Sequence, residues 1–351
     1  MAFYFNLPLI TDLTLSQQSI LNETRPIALS GGPGTGKSVV SLWRHIRNYS
    51  ANIRTSLLLT YTKSLTYYLK NSCNNNPTAA THVHSAWRWI VNANNQRYGE
   101  IIIDEAQDLG EGQFGDIFFD LINNYSDMIS YGADDSQMLY QPPQGTTEQG
   151  LKNRYSNNVQ TVLGENFRNT LEIMLIAREL FPSANIPNTT IQILRDKNKR
   201  GPKPILQKCN DFDEQKKGII DIIREFTSDV HNIAILLPNT GLVNSYYNYI
   251  VQYYPNATKY TTHLNNCIID NIHVTTFHSA KGLEFDTVII PNFELFTPNK
   301  EYFVGITRAK TNLYFLSNNN HNNIRQDICD KFIYNANLNT NSVEQNDDLP
   351  F

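Results

Sequence analysis

The stretch SGGPGTGKSVV (30–40) gathers the residue types that hold a phosphate chain. Gly31, Gly34 and Gly36 free the backbone to curl, so that successive N–H groups, Thr35 among them, face an anion. Lys37 adds a point charge for the β and γ oxygens, and the Ser38 hydroxyl can ligate magnesium. Further on, IIIDEAQDLG (101–110) offers Asp104 at a strand end to hold the metal through water and Glu105 to polarise an attacking water. A DE pair after an apolar run is by itself a solvated strand end. Behind a phosphate loop it becomes the second half of a site for a nucleoside triphosphate with Mg2+, and leaves open what the energy drives.

The elements that must carry these residues are legible in the apolar pattern. PIALS precedes the loop as a short strand, and Val40, Leu42, Trp43 and Ile46 follow it at near-helical spacing. Further strands are expected at 55–61, 99–104, 127–133, 231–238, 272–277, 286–291 and 312–317, with helices at 169–180 and 240–254. Apolar strands alternating with helices imply α/β layers, parallel sheets flanked by helices. The polar run 141–158 reads as a connection, which divides the chain into a first domain (1–150), a second (151–319) and a polar, Asn-rich tail (320–351) expected to be disordered.

Composition narrows the class. With 351 residues, 40% hydrophobic and 18% charged, the chain has the make-up of a globular protein of two domains, and the reading is cytoplasmic because no signal peptide or span is recognisable. Four scattered cysteines form no CxxC and no ligand spacing, so reduced thiols are expected. A net charge of -4 excludes a generally basic coat, and any nucleic acid must lie in a local groove.

DEAQD resembles motif II of superfamily 1 helicases of the UvrD/Rep type, and the other motifs follow in order. LTLSQQ (13–18) is similar to the adenine-reading Q motif, through Gln17 or, in the alternative register, Gln18. LLLTYTKSL (57–65) and THVHSAW (81–87) resemble motifs Ia and Ib. GADDSQMLY (132–140) resembles motif III, with Gln137 as γ-phosphate sensor. ENFRNT (165–170) is similar to motif IV, with Phe167 to stack on the base and Arg168 to reach the γ-phosphate. VTTFHSAKGLEFDTVII (274–290) resembles motif V, with Gly282 and Glu284 near phosphate and ribose, and YFVGITRAK (302–310) resembles motif VI, with Arg308 as second arginine finger. The resemblance implies two RecA-like P-loop NTPase domains that close on ATP. Lys37, Asp104, Glu105, Gln137, Arg168 and Arg308 are then catalytic, with Ser38 and Asp104 on the metal. It also implies a single strand crossing both domains, with Tyr61 and Tyr140 as stacking platforms and Thr62, His84 and His278 lining the groove. Trp87 is a third stacking candidate, although the core reading is favoured for Trp87 and Trp89.

Departures from the family pattern matter equally. Lys37 to Asp104 spans 67 positions and Arg168 to His278 spans 110, short for a family that inserts subdomains 1B and 2B there. Val39 stands where these helicases often carry an arginine, and motif III lacks their tryptophan. One reading is therefore a minimal single-stranded-DNA translocase or helicase, 3′ to 5′ by analogy, with a protein partner. The other is an ATPase switch controlling a partner such as a nuclease; RNA stays open as the strand. The final NDDLPF (346–351) resembles the acidic tip of bacterial single-strand-binding proteins: Asp347, Asp348, Leu349, Pro350 and Phe351 offer charge and a terminal ring for the pockets that bind such tips, for the chain's own motor, or for nothing.

Overall fold

A computed structural model of the chain describes residues 7–73, 75–112, 117–226, 230–260, 267–318 and 326–337. Its strands are β1 Ile27–Ser30, β2 Ser56–Thr60, β3 Val83–Ser85, β4 Glu100–Asp104, β5 Ile129–Ala133, β6 Val159–Val162, β7 Ile205–Cys209, β8 Ile233–Leu237, β9 Thr258–Tyr260, β10 Ile272–Thr276, β11 Phe285–Ile290, β12 Ala309–Asn318 and β13 Tyr334–Asn337. They form a six-stranded sheet in the order β3-β2-β4-β5-β1-β6 and a seven-stranded one in the order β13-β7-β12-β11-β8-β10-β9. Every pairing within them is parallel. Interior strands such as β4 (EIIID) and β8 (IAILL) are buried along their whole length because helices cover both faces.

The short strands β3 (VHS), β6 (VQTV), β7 (ILQKC), β9 (TKY) and β13 (YNAN) have too little apolar character to announce themselves; four of them are sheet edges and β7 lies next to one. β6 follows the polar connection yet pairs with β1, so the chain leaves the first sheet after Val162 rather than near residue 150. The C-terminal segment departs further from expectation. A helix at Gln326–Phe332 contributes Ile328 and Cys329 to the core, and β13 extends the second sheet along β7, so structure continues past residue 320. The tip Asp347, Asp348, Leu349, Pro350 and Phe351 lies outside the described residues.

The two domains share one core. Leu65, Tyr68 and Leu69 of the first pack in the same cluster as Phe277, Leu283 and Phe303 of the second. Loops at the C-terminal ends of β1, β4, β5 and β10 carry the phosphate loop, Glu105, Gln137 and His278, the end of a parallel sheet at which ligands bind.

The helix after the phosphate loop, Lys37–Ser50, is tied to β4 beneath the site. Buried Glu100 accepts hydrogen bonds from Arg44 Nε (2.7 Å), Asn48 Nδ2 (2.9 Å) and Ser130 Oγ (2.5 Å). Arg44→Met strands that carboxylate and is expected to cost about 3–5 kcal/mol. Chemical denaturation measures it, and a loss under about 1 kcal/mol would contradict a structural role for the pair.

Candidate active site

The phosphate loop closes with Gly31, Gly34 and Gly36 at φ of 141°, 71° and 87°, values that only glycine adopts freely. All three glycines also permit close contacts: a Cβ on Gly31 would stand 2.2 Å from Leu163 O. A Cβ on Gly34 would stand 2.7 Å from Asn166 Oδ1 and 2.8 Å from Arg168 Cβ, and one on Gly36 would stand 2.4 Å from Gln17 Nε2. The loop thus rests against the segment Asn166–Arg168, whose Phe167 N–H donates to the Gly34 carbonyl at 2.8 Å. Thr35 is buried and donates through Oγ1 to Gly32 O at 2.9 Å. Lys37 Nζ donates to the carbonyls of Gly31 (2.6 Å) and Gly32 (3.0 Å) and lies 3.7 Å from Asp134.

A cleft of about 280 Å³ between the domains collects most of the residues expected at the nucleotide; Asp104 lies buried outside its lining. Gln17, Gly34, Thr35, Gly36, Lys37, Ser38, Glu105 and Gln137 line it from the first domain; Phe167, Arg168, Gly282, Glu284 and Arg308 face them. Phe167 keeps 43% of its surface exposed, as a stacking platform must, with Lys197 Nζ 5.9 Å from its ring centre. Arg168 Nε is paired with Glu284 at 3.0 Å. Arg308, buried, donates to Gln137 Oε1 across the interface and to the carbonyls of Val304 (2.9 Å) and Leu283 (3.2 Å). Burial and the charge of Arg168 push its pKa down, a charge held ready for an anion.

Asp104 and Glu105 are driven apart as acids. Burial, then the charge of Glu105, raises the Asp104 carboxyl, against which the Ser38 hydrogen bond acts. Glu105 falls below the ordinary carboxylate range because Lys281, Lys37 and Arg308 together outweigh its burial. Asp104 Oδ2 is buried with no hydrogen-bond partner, so the Asp104 and Ser38 oxygens fit a hard divalent cation such as Mg2+. Glu105 sits at φ 58°, a left-handed conformation unusual for a side-chain-bearing residue, and its Oε2 accepts from Gln107 Nε2 at 2.5 Å.

One residue was not singled out from the sequence. Lys281, fully buried, belongs to the second domain, and among the described residues its Nζ reaches into the first: it pairs with Asp108, donates to Gln137 O at 2.6 Å and lies 3.3 Å from Glu105 Oε2. Burial would lower its pKa, but Asp108 and then Glu105 raise it. Asp108 Oδ1 in turn accepts from Leu139 N at 2.8 Å. Lys281 stands within HSAKGLEF, and its partners lie about 140 to 175 positions away, so no local spacing could reveal the cluster.

Of the expected strand-binding residues, three come together. Tyr61 and Tyr140 have ring centres 5.5 Å apart, each within 5.8 Å of His278, and Tyr140 OH lies 2.6 Å from His278 Nε2. Burial, then the charge of Lys281, holds His278 down to about 4, hence neutral, and its Nδ1 is buried without a partner. A cavity of about 630 Å³ opens beside Tyr61 and Tyr140, lined also by Trp87, Tyr125 and Gln144. Thr62 caps the helix Lys63–Ser72 by accepting from Leu65 N at 3.1 Å, a structural task. His84 lies on edge strand β3, in register with Leu59 of β2 and near Lys70, Thr81 and His82. Trp87 and Trp89 both pack against the first domain's core, as favoured for them.

Known proteins offer two kinds of likeness to this chain, one of sequence and one of fold. Residues 256–320 match the UvrD-like helicase C-terminal domain. This segment holds β10 to β12 and with them Lys281, Gly282, Glu284 and Arg308. A protein of Acanthamoeba polyphaga mimivirus, provisionally named an ATP-dependent DNA helicase, is 29% identical over 211 residues, which are 55% of this chain and 29% of that protein; the chain therefore spans under a third of this relative's length. S. cerevisiae Dbp5, solved bound to RNA and ADP BeF3, superposes with a TM-score of 0.55 at 11% identity, covering 92% of this chain and 89% of that one. At that identity the likeness is one of fold: two RecA-like domains in tandem.

Gly282, at φ 82°, lets the loop after β10 approach Leu65, whose Cδ2 would stand 2.6 Å from an added Cβ. Gly282→Ala is expected to cost about 1–3 kcal/mol, whereas Gly164→Ala, with nothing within 4 Å of an added Cβ, is near neutral. Equal denaturation midpoints for the two variants would contradict this placement.

Proposed function

We propose that the chain is an ATP-hydrolysing motor of the UvrD-like helicase type, driven by Mg-ATP and stimulated by single-stranded DNA. What carries the reading is the convergence of both domains on one cleft: Gln137 and Glu105 from the first meet Arg308 and Lys281 from the second. A site split across two bodies makes closure part of the reaction, and that converts hydrolysis into relative movement of the domains.

Each residue has a physical task. The N–H groups of the loop and Lys37 bind the phosphates. The Asp104 carboxylate and the Ser38 hydroxyl would hold Mg2+, which would supply charge neutralisation at the phosphates. Glu105, kept ionised by its cationic neighbours, takes the proton of the attacking water through its carboxylate. Gln137 positions that water and senses closure through Arg308. Arg168 and Arg308 stabilise negative charge developing on the transferred group. Phe167 supplies a face for the base, and Glu284 lies within reach of the ribose.

On the other face, Tyr61, Tyr140 and His278 form an aromatic platform shared by the two domains, where bases stack without regard to sequence. Because Tyr140 lies beside Leu139 and His278 three residues before Lys281, a strand here touches both segments that close the nucleotide cleft. Movement 3′ to 5′ follows from family analogy. The short spans before motifs II and V leave little chain for inserted subdomains, so a protein partner completes duplex separation in this reading.

Glu105→Gln keeps Mg-ATP binding and lowers turnover by roughly 10²–10⁴-fold; parallel loss of binding and turnover would make Glu105 structural. Arg308→Ala lowers turnover on the order of 10³-fold or more with little change in ATP affinity, and an affinity defect alone would remove it from the transition state. The direct test is ATP hydrolysis by the full chain with and without single-stranded DNA, beside Lys37→Ala as a blank. Severalfold stimulation supports the motor; a rate indifferent to DNA and RNA favours an ATPase switch.

A further inference from the structure

We infer that Asp12, rather than Gln17, selects the nucleotide base, and that it does so by accepting a hydrogen bond from an exocyclic amino group. This rests on the nucleotide site proposed above and assigns its base specificity.

Gln17 is committed elsewhere. It lines the cleft yet keeps only 3% of its surface exposed, and both ends of its amide are engaged within the protein. Its Oε1 accepts from Thr14 N at 3.0 Å, closing a capping box in which Thr14 Oγ1 accepts from Gln17 N at 3.2 Å. Its Nε2 donates to Thr35 O at 3.2 Å, at the point where only the missing Cβ of Gly36 allows an amide to approach. Gln17 is thus a strut that fixes the phosphate loop to the helix Leu15–Leu21. Turning it toward a base breaks both bonds, each worth about 1 kcal/mol net, and loosens the loop that must bind the phosphates.

Asp12 has the opposite character. It is exposed, and it lines the same cleft as the apolar groups Pro8, Leu13, Val39 and Phe167. Its backbone is fixed, since Asp12 N donates to Leu9 O at 3.0 Å within the turn Ile10–Asp12, and Trp43 Nε1 donates to Pro8 O at 2.9 Å in the same segment. Among the described residues its carboxylate takes one long contact, 3.5 Å from the neighbouring Thr11 hydroxyl. A carboxylate accepts hydrogen bonds and donates none, so beside a base it favours an amino group and repels a keto oxygen. Between purines stacked alike on Phe167, adenine offers the 6-amino group and hypoxanthine the 6-keto oxygen. ATP is therefore preferred over ITP, and the apolar remainder adds affinity without choosing.

The test is equilibrium binding of ATP and ITP, each with Mg2+, to the full chain and to Asp12→Ala, Asp12→Asn and Gln17→Ala. The inference expects ATP to bind about 10-fold tighter or better, as for a hydrogen bond to a charged group. Asp12→Ala should bring the two within about 3-fold, and Asp12→Asn, whose amide can donate to a keto oxygen, should improve ITP relative to ATP. Gln17→Ala should weaken both nucleotides together and keep their ratio. Equal binding of ATP and ITP by the native chain, or a ratio that survives Asp12→Ala and collapses in Gln17→Ala, overturns the inference while leaving the nucleotide site in place. Failure of the native chain to bind either nucleotide overturns both.

Discussion

A lysine ammonium buried between two domains is tolerable only while acids hold it, and the architecture of this chain follows from that constraint around Lys281. Its charge is compensated wholly from the other domain, by Asp108 and Glu105, with the Gln137 carbonyl as a further acceptor. Separating the domains exposes or strands three charges at once, and breaking such a buried pair costs several kcal/mol. The cluster therefore favours the closed arrangement and ties it to chemistry, because one of the acids is the proposed base and Gln137 also accepts from Arg308. Asp108 extends the link to Leu139 N, next to the Tyr140 that meets His278. Nucleotide cleft and aromatic groove are thus two faces of one polar junction.

Sequence carried the nucleotide half of this picture far. A phosphate loop is a local object: its glycines, lysine and serine sit within eight positions, and the strand and helix that flank it show in the apolar period. β4, which ends on Asp104, and β5, which leads to the turn that carries Gln137, are buried along their whole length, and β4 shows its apolar run Ile101–Ile103 directly. The edge strands did not show, because three to five residues with one exposed side resemble any loop. β6 in particular lies beyond a polar connection yet closes the first sheet, which moves the crossing between domains past Val162.

Relations between distant residues were the illegible part. Spacing ranks Glu105 as a base but says nothing of its left-handed backbone or the lysine that holds it ionised. Motif order selects Gln17 but does not reveal that its amide braces Thr35 and Thr14. Thr62 and His84 are expected to line a groove; one caps a helix, and the other lies on an edge strand in register with Leu59. A motif fixes a position in the chain; the partners fix what the side chain is free to do.

The central claim is that strand binding and hydrolysis are joined through Lys281 and Asp108. The most direct test is a double-mutant cycle with Lys281→Met, Asp108→Asn and their combination, scored as the ratio of ATP turnover with single-stranded DNA to turnover without it. If the junction is the link, each single variant loses most of the stimulation while still binding ATP and DNA, and the combination is no worse than the worse single. Full stimulation retained in Lys281→Met, or independent and multiplicative losses in the cycle, would contradict it.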